Sequence, residues 1–224
     1  LGMELAGKIE SVGRKVTRFK PGDVVFASTC VADFGGYAEY KCLPENGVIA
    51  IKPANLTYEE AAAVPGAGMT AWQCLKKGNI QPGRAVLIYG ASGAVGTYAV
   101  QLARHFEAEV TAVDSAGKLD MLRSIGADHV IDYVQEDFTR NGQQYDLILA
   151  VNGYHPILAY RRALRPKGVY VMVGGSKAHL YKALLQAMLL GPVISRTGRQ
   201  KMGFMLARPN QKDLAFIKEL LEAG

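Results

Sequence analysis

A glycine-rich turn between a strand and a helix is the feature that most constrains the fold of this chain. Residues 85–96 read Ala-Val-Leu-Ile-Tyr-Gly-Ala-Ser-Gly-Ala-Val-Gly, and a helical pattern follows at once. A strand that enters a helix through such a turn directs backbone N–H groups and the positive end of the helix dipole toward one point, where a pyrophosphate can bind. The sequence therefore predicts a dinucleotide-binding turn, with cofactor-binding residues Gly90, Ala91, Ser92, Gly93, Ala94 and Val95.

An acidic residue, Asp114, ends the next apolar run. A carboxylate at the tip of the second strand is the group that accepts hydrogen bonds from ribose hydroxyls in dinucleotide-binding folds. The strict pattern G-x-G-x-x-G has Ala91 at its first position here, and glycines in this spacing also serve ordinary tight turns. The strand before, the helix after and the acid downstream together favour the dinucleotide interpretation.

Apolar strands alternate with helices through the rest of the chain, which is typical of a parallel sheet covered on both faces. The fold class predicted is α/β, a six-stranded doubly wound parallel sheet of the Rossmann type. The predicted strands are 85–89, 110–113, 129–132, 146–151, 168–173 and 203–207. The predicted helices are 94–106, 118–125, a short turn at 136–139, 157–164, 180–190 and 213–221. Ligands bind at the carboxyl ends of such strands, where Gly90, Asp114, Tyr133, Asn152 and Gly174 fall.

The first 55 residues have a different sequence pattern, which is typical of β-structure. Short runs at 9–16, 23–27 and 37–43 are punctuated by glycine and proline and are expected to be strands. Thr57 with Glu60 forms the pattern of a helix capping box, where the texture changes. We therefore place a partial β-rich domain at 1–55, with too few strands to close its own core, and the dinucleotide-binding domain at 56–224.

Composition narrows the partners and the compartment. The formal net charge of +6 comes from short basic clusters, not from a basic stripe with interleaved aromatics, so we expect no nucleic-acid partner. No apolar stretch has the length of a membrane span. Cys30, Cys42 and Cys74 form neither a disulfide framework nor a metal motif, and the first residues do not resemble a signal peptide. A cytoplasmic protein is expected.

The order of several short motifs resembles the medium-chain dehydrogenase/reductase superfamily, in its zinc-independent, quinone oxidoreductase-like branch. The motifs are Gly2-Met-Glu-Leu-Ala-Gly7, Val12-Gly13, Phe19-Lys-Pro-Gly-Asp-Val-Val-Phe26, Gly36-Tyr-Ala-Glu-Tyr40, Glu60-Ala-Ala-Ala-Val-Pro65, Met69-Thr-Ala71, the turn at 85–96, and Gly126-Ala-Asp128. The resemblance implies that residues 1–55 are part of a GroES-like domain and that the chain is truncated at both ends. It also implies a small-molecule quinone or enone substrate. A homodimer is expected if the sheet edge is available.

The resemblance further implies roles for individual residues toward NAD or NADP. Thr70 would lie near the nicotinamide ribose, with Asn152, Val173 and Gly174 around the nicotinamide. Thr70 is equally open to a structural role, as a helix residue bonded to its own backbone. Asp114 gives a slight preference for NAD, because a carboxylate repels a 2′-phosphate. Ser115, Lys118 and Tyr133 favour NADP, since NADPH-using relatives place such residues near that phosphate.

Two positions argue against catalytic zinc. Zinc-type relatives carry a His where this chain has Met3, and often a Cys where it has Gly66. Zinc needs three or four convergent N, S or O ligands, so we expect no metal. The four histidines, His105, His129, His155 and His179, occur singly in separate elements and are not expected to be ligands. No catalytic residue is assigned; Tyr37 and Tyr40 are candidate proton donors by residue type only.

Three functions remain to be compared. Reduction of a quinone or an α,β-unsaturated carbonyl by NAD(P)H needs no metal, since charge spreads onto the acceptor oxygen and a hydrogen-bond donor suffices there. A dinucleotide-binding relative without turnover is the second function. A zinc alcohol dehydrogenase is the third, and Met3 and Gly66 disfavour it.

Overall fold

The computed structural model describes residues 2–175 and 178–224. The chain divides into two compact units. One unit holds the residues up to Thr70 together with Ala207–Gly224, and the other holds Ala71–Leu206.

The elements are numbered along the chain. The strands are β1 Glu4–Lys8, β2 Val24–Ser28, β3 Ile49–Ile51, β4 Ala85–Tyr89, β5 Glu109–Asp114, β6 His129–Asp132, β7 Tyr145–Ala150, β8 Leu164–Met172 and β9 Lys201–Phe204. The helices are α1 Tyr58–Ala62, α2 Pro65–Lys77, α3 Ala94–His105, α4 Leu119–Ser124, α5 Ile157–Ala163, α6 Leu180–Thr197 and α7 Gln211–Ala223. Helix α2 contains the residue at which the two units divide.

The larger unit is built on a six-stranded parallel sheet in the order β6-β5-β4-β7-β8-β9. The chain runs outward from β4 through β5 to β6, returns to the centre as β7, and then runs outward the other way. This order reverses between β4 and β7, and such a reversal opens a crevice beyond the carboxyl ends of the strands. The predicted six-stranded doubly wound sheet is confirmed.

The central strands carry the core of this unit. Leu87, Ile88, Ile148 and Leu149 are fully excluded from solvent, as expected of strands buried on both faces. Helix α3 follows β4 with Ala99, Val100 and Ala103 buried. The glycine-rich turn is thus anchored at both ends by fully buried residues.

The smaller unit contains a three-stranded antiparallel sheet in the order β1-β2-β3. Its α7 helix reaches the first part of the chain through two hydrogen bonds. The backbone N–H of Ile49 donates to Oε1 of Gln211 at 3.1 Å, and the Asn55 amide donates to the Leu221 carbonyl at 2.7 Å. At the start of α1, Thr57 and Glu60 form the predicted capping box.

Two predicted strands of this unit are wrong. Pairing of β1 with β2 ends at Ile9, whose N–H donates to the Asp23 carbonyl at 2.8 Å, and the chain then turns, with the Val16 N–H donating to the Gly13 carbonyl at 3.0 Å. Residues 37–43 form bends and irregular loop, and Tyr37 and Tyr40 are 85% and 76% exposed. A strand needs a neighbour to complete its hydrogen-bond ladder, and 37–43 has none among the described residues. Strand β3 was not predicted.

Two elements at the far edge of the parallel sheet differ from prediction in their bounds. Strand β9 lies at Lys201–Phe204, slightly before the predicted 203–207. Helix α6 continues through Pro192 to Thr197, although a proline removes one helical hydrogen bond. Contacts with β9 compensate for that loss. Gly191 lies so close to β9 that a Cβ there would be 2.6 Å from the Met202 carbonyl oxygen, and Ser195 Oγ accepts the Met202 N–H at 2.9 Å.

Candidate functional site

The glycine-rich turn between β4 and α3 is packed against the protein at two glycines and open at the third. Gly90 has a φ of +80°, and a Cβ there would lie 2.5 Å from the Asn152 carbonyl oxygen. A Cβ on Gly96 would lie 2.5 Å from the carbonyl oxygens of Gly90 and Ala91. At Gly93 the nearest atom to a Cβ is the Gly90 oxygen at 3.6 Å, an ordinary contact. Gly90 and Gly96 therefore shape the turn, and Gly93 leaves space beside it.

A cavity of about 450 Å³ lies at the carboxyl ends of the parallel strands. The lining brings together six residues predicted from the sequence: Gly90, Ser92, Gly93, Asp114, Tyr133 and Asn152. The first turn of α3 begins at Ala94 with Gly93 as its N-cap. The leading N–H groups of a helix have no carbonyl partner within the helix and carry its positive dipole end. An anion in this cavity would meet those groups.

Asp114 holds the turn through backbone hydrogen bonds. Its Oδ2 accepts the Ser92 N–H at 2.8 Å, and its Oδ1 accepts the Ser115 N–H at 2.9 Å. The side chain lines the cavity and is half-buried. Each carboxylate oxygen can accept more than one hydrogen bond. Asp114 can therefore hold the turn and still accept from a hydroxyl in the cavity.

The other predicted site residues lie outside the cavity lining. Ala91 is fully buried and its N–H donates to the Val113 carbonyl at 3.3 Å. Ala94 and Val95 form the first turn of α3, and Ser115 precedes the short turn that ends at exposed Lys118. Val173 and Gly174 follow β8, where both N–H groups donate to the Ala150 carbonyl.

Thr70 belongs to the smaller unit. Its hydroxyl donates to the Gly66 carbonyl at 2.6 Å, one helical turn back. This is the hydrogen bond that its structural interpretation predicted. A role beside the nicotinamide ribose stays a prediction for Thr70.

Five lining residues were not assigned to the site by sequence reasoning. They are Tyr89, Val113, Gly153, Tyr154 and His179. Tyr89, Val113 and the Gly153-Tyr154 pair sit at strand ends, so the topology that singled out Asp114 could have found them. His179 follows β8 at a greater distance along the chain, and nothing in its sequence context pointed to this cavity.

A partly buried aromatic cluster adjoins the cavity at Tyr89. Tyr89 packs edge-on against Phe138 at 5.4 Å between ring centroids, and His155 contacts both rings. Burial raises the pKa of the Tyr89 hydroxyl above its ordinary value. Burial also lowers the pKa of His155, against the opposing charge of Asp137. Both groups are therefore held neutral at pH 7 and support the floor of the cavity.

The cavity of the larger unit can accommodate a dinucleotide, and the positions at which zinc-type relatives carry ligands belong to the smaller unit. The open position at Gly93, the start of α3 and the Asp114 carboxylate offer space, N–H donors and a hydroxyl acceptor. At the expected zinc positions stand Met3 and Gly66, and the Glu4 carboxylate accepts the Gly66 N–H. Within residues 2–175 and 178–224, no group of three or more His, Cys, Asp or Glu side chains is arranged to hold a metal ion.

Comparison with known families matches two regions of the chain. Residues 94–219 match the zinc-binding dehydrogenase family, and residues 1–53 match the alcohol dehydrogenase GroES-like domain. The first match covers more than half of the chain.

Similar proteins include a reductase and an oxidoreductase from plants. The 2-methylene-furan-3-one reductase of Solanum lycopersicum is 38% identical over 66% of this chain. The NADPH-dependent alkenal/one oxidoreductase of Arabidopsis thaliana, a chloroplastic protein, is 34% identical over 68% of this chain. The alignments cover 40% and 41% of those relatives, so the chain spans well under half of their length.

A solved quinone oxidoreductase from Coxiella burnetii has the same fold. Its structure superposes with a TM-score of 0.85 and 26% identity, covering 100% of this chain and 68% of the other. The likeness extends over both compact units of the chain.

Proposed function

Since this chain belongs to the medium-chain dehydrogenase/reductase superfamily, as a quinone oxidoreductase-like member, we propose that it binds a nicotinamide dinucleotide and reduces a quinone or an α,β-unsaturated carbonyl. The observation that carries the proposal is that Gly93, the N-cap of α3, and Asp114 line the same cavity. A pyrophosphate needs the first, and a ribose needs the second.

Different residues are assigned to the pyrophosphate and to the ribose. Ser92, Gly93, Ala94 and Val95 present the turn and the helix start to the pyrophosphate. Asp114 accepts from the ribose hydroxyls, and Asn152 borders the cavity on the other side of Gly90. The bound dinucleotide supplies the hydride; the protein positions it and excludes water from the reacting carbon.

Reduction without a metal is consistent with the residues at the positions where zinc-type relatives carry ligands. An alcohol substrate would need an electrophile to stabilise its alkoxide, and Met3 and Gly66 provide no ligand for one. An enone or quinone spreads the arriving charge onto its own oxygen, where a hydrogen-bond donor is sufficient. A catalytic zinc is therefore not part of the proposal.

We propose NAD as the slightly preferred cofactor, with NADP close behind. Asp114 places a negative charge in the cavity, which opposes a 2′-phosphate. Tyr133 also lines the cavity and is 49% exposed, so a hydroxyl donor is available to that phosphate. Ser115 and Lys118 would complete an NADP site on the same side.

The experiment is a titration followed by an acceptor screen. NADH and NADPH are titrated into the protein by calorimetry, and turnover is then followed with 1,4-benzoquinone and with an alkenal. Binding together with turnover supports the reductase. Binding without turnover would instead favour a dinucleotide-binding relative that has no activity, and absence of binding would contradict the proposal altogether.

A homodimer is also proposed, through the edge of the parallel sheet. Strand β9 is the last strand in the sheet order, and α6 beside it exposes Leu185, Met188, Leu189 and Val193. Exposed apolar groups of this extent in one helix mark an interaction surface. Sedimentation of wild type against Leu185→Glu tests it: a dimer becomes a monomer, and a monomeric wild type contradicts the proposal.

A cytoplasmic location is proposed on the strength of three free thiols, at Cys30, Cys42 and Cys74. None of the helices in the described residues is long and apolar enough to cross a membrane. Fractionation of cells that express the gene, with the protein followed by antibody, tests the compartment.

A further inference from the structure

The order of the strands indicates which end of the cavity would hold each half of a bound dinucleotide. The lining residues of the cavity follow the sheet: Tyr133 after β6, Asp114 at the end of β5, Gly90 after β4, Tyr154 after β7, and His179 after β8. Neighbouring strands lie about 4.8 Å apart, so four spacings extend roughly 19 Å. If the ribose at Asp114 belongs to the adenosine, as the proposed function requires, the reacting half extends past Gly90 toward Tyr154 and His179.

The rings of Tyr154 and His179 form a stacked pair at that end. Their centroids are 4.7 Å apart and their planes differ by 6°. The Gln186 amide fixes the tyrosine, donating to its hydroxyl at 3.2 Å while its Oε1 accepts the Ile157 N–H at 3.1 Å. The tyrosine is thus held between two elements of the sheet's helical layer, and it fixes one face of the imidazole.

A cation lies beside this stacked pair. Lys182 Nζ lies 5.4 Å from the centroid of the Tyr154 ring. From Leu147 to Lys212 the sequence contains no aspartate or glutamate. The acidic lining residue, Asp114, lies three strands away from β8. Negative charge that develops on an acceptor oxygen here would therefore be stabilised by the Lys182 ammonium.

His179 is better suited to give a proton than the tyrosines of the lining. Tyr89 packs into the aromatic cluster, and burial raises its pKa. Tyr154 accepts a hydrogen bond from the Gln186 amide, which orients it, and a phenol is ordinarily a weaker acid than an imidazolium. Tyr133 lies at the opposite end. His179 is exposed as well as lining the cavity, so water can restore a proton that it gives away.

We propose that His179, positioned by Tyr154, hydrogen-bonds the acceptor oxygen and transfers a proton to it; this rests on the proposed function. For an enone, the β-carbon gains the hydride of the dihydronicotinamide, which is oxidised to the nicotinamide cation. The electron pair of the C=C bond shifts to make an enolate, and its oxygen takes a proton from the protonated imidazole. The enol then tautomerises in water, and the neutral imidazole regains a proton from solvent.

The test uses a substitution at His179 that keeps an aromatic ring against Tyr154 but removes the transferable proton. His179→Phe retains a ring against Tyr154 but has no transferable proton, so kcat for the alkenal should fall about 100-fold or more, the range of general acid catalysis. NADH affinity by calorimetry should stay within about a factor of two, since the variant changes no group assigned to binding. His129→Phe is the matched control, at an exposed histidine on the amino end of β6, and should keep wild-type kcat.

Tyr154→Phe and Gln186→Ala test positioning. Both leave His179 in place but loosen it, so kcat should fall less than in His179→Phe while the solvent deuterium isotope effect on kcat persists. His179→Gln, which keeps a donor N–H, should retain more activity than His179→Phe and covers the case in which the latter does not fold.

The outcomes separate the two proposals. A wild type that binds NADH and reduces the alkenal, with an unchanged kcat in His179→Phe, overturns the role of His179 and leaves the proposed function standing. Equal losses of NADH affinity and kcat would also overturn it, because His179 would then hold the cofactor. A wild type that binds no dinucleotide contradicts both proposals.

Discussion

The carboxylate of Asp114 accepts a hydrogen bond from the backbone N–H of Ser92, with 2.8 Å between Oδ2 and N. One side chain at the end of β5 therefore holds the glycine-rich turn after β4. The same group is the proposed acceptor for the ribose hydroxyls. Substitutions at Asp114 must be designed so that an effect on cofactor choice is separated from an effect on the turn.

Asp114→Asn should shift cofactor preference toward NADPH by about tenfold, equivalent to about 1.4 kcal/mol. The amide keeps its one oxygen for the Ser92 N–H, gives up the hydrogen bond from the Ser115 N–H, and removes the charge that repels a 2′-phosphate. Asp114→Ser should shift preference in the same direction, leaving Ser115, Lys118 and Tyr133 to receive the phosphate. Calorimetric titration with both cofactors measures the ratio.

Asp128→Asn is the control for this charge change. Its Oδ2 accepts the Val110 N–H at 2.8 Å at the amino end of β5, away from the cavity lining. It should leave the NADPH/NADH ratio at the wild-type value. An equal ratio in wild type, Asp114→Asn and Asp114→Ser would mean that Asp114 only supports the turn.

Gly93→Val should abolish dinucleotide binding while the protein stays folded. A Cβ at Gly93 would make only an ordinary contact, 3.6 Å from the Gly90 oxygen, so the added side chain should obstruct the ligand and not the fold. We expect at least a hundredfold loss of affinity, about 2.7 kcal/mol, with little change in melting temperature. Unchanged NADH affinity in the folded variant would show that the pyrophosphate binds elsewhere.

Two further glycine variants separate an effect on folding from an effect on dinucleotide binding. Gly96→Val should destabilise the protein, because its Cβ would lie 2.5 Å from two carbonyl oxygens. Gly7→Val adds a side chain with no atom within 4 Å and should change neither melting temperature nor affinity. Thermal melts with and without NADH distinguish the three classes.

Zinc analysis should find no stoichiometric metal. Met3 and Gly66 occupy the ligand positions of zinc-type relatives, and the Gly66 N–H is bonded by Glu4. After dialysis, elemental analysis is expected to give well under one zinc per chain, and added zinc should not raise the melting temperature. About one zinc per chain would overturn the metal-free mechanism.

Acid should destabilise the wild type through His155. Burial lowers the folded-state pKa of this histidine below its value in the unfolded chain, so the unfolded state binds the extra proton first. Stability is therefore full above about pH 6.5, the unfolded-state pKa, and declines as pH falls through the lowered folded-state value. In His155→Phe, the drop in melting temperature between neutral and mildly acidic pH should be smaller.

His105→Phe is the comparison for that measurement. This histidine lies in the last turn of α3, outside the buried cluster. Its acid dependence should match that of wild type. A His155→Phe variant with the same pH dependence as wild type would show that His155 does not carry the effect.

Much of the parallel sheet was predictable because its signals are local. Fully buried strands such as 85–89 and 145–150 read as continuous apolar runs, and turns at Gly90 and Gly126 mark where helices begin and end. The topological rule for parallel sheets then placed Asp114, Tyr133 and Asn152 at one edge. The smaller unit was predicted less well, since antiparallel strands such as β3 depend on which distant segment pairs with them.

By itself the sequence determined the alternation of strands and helices, the glycine-rich turn and the acid beside it, since each is encoded within one short segment. Only the tertiary structure decided which neighbours those residues have. It brought Tyr154 and His179 together from separate loops, continued α6 past Pro192, and bonded Asp114 to the turn as well as exposing it to the cavity. Such contacts join residues far apart in the chain, and their formation depends on packing of the whole sheet and not on local conformational preference.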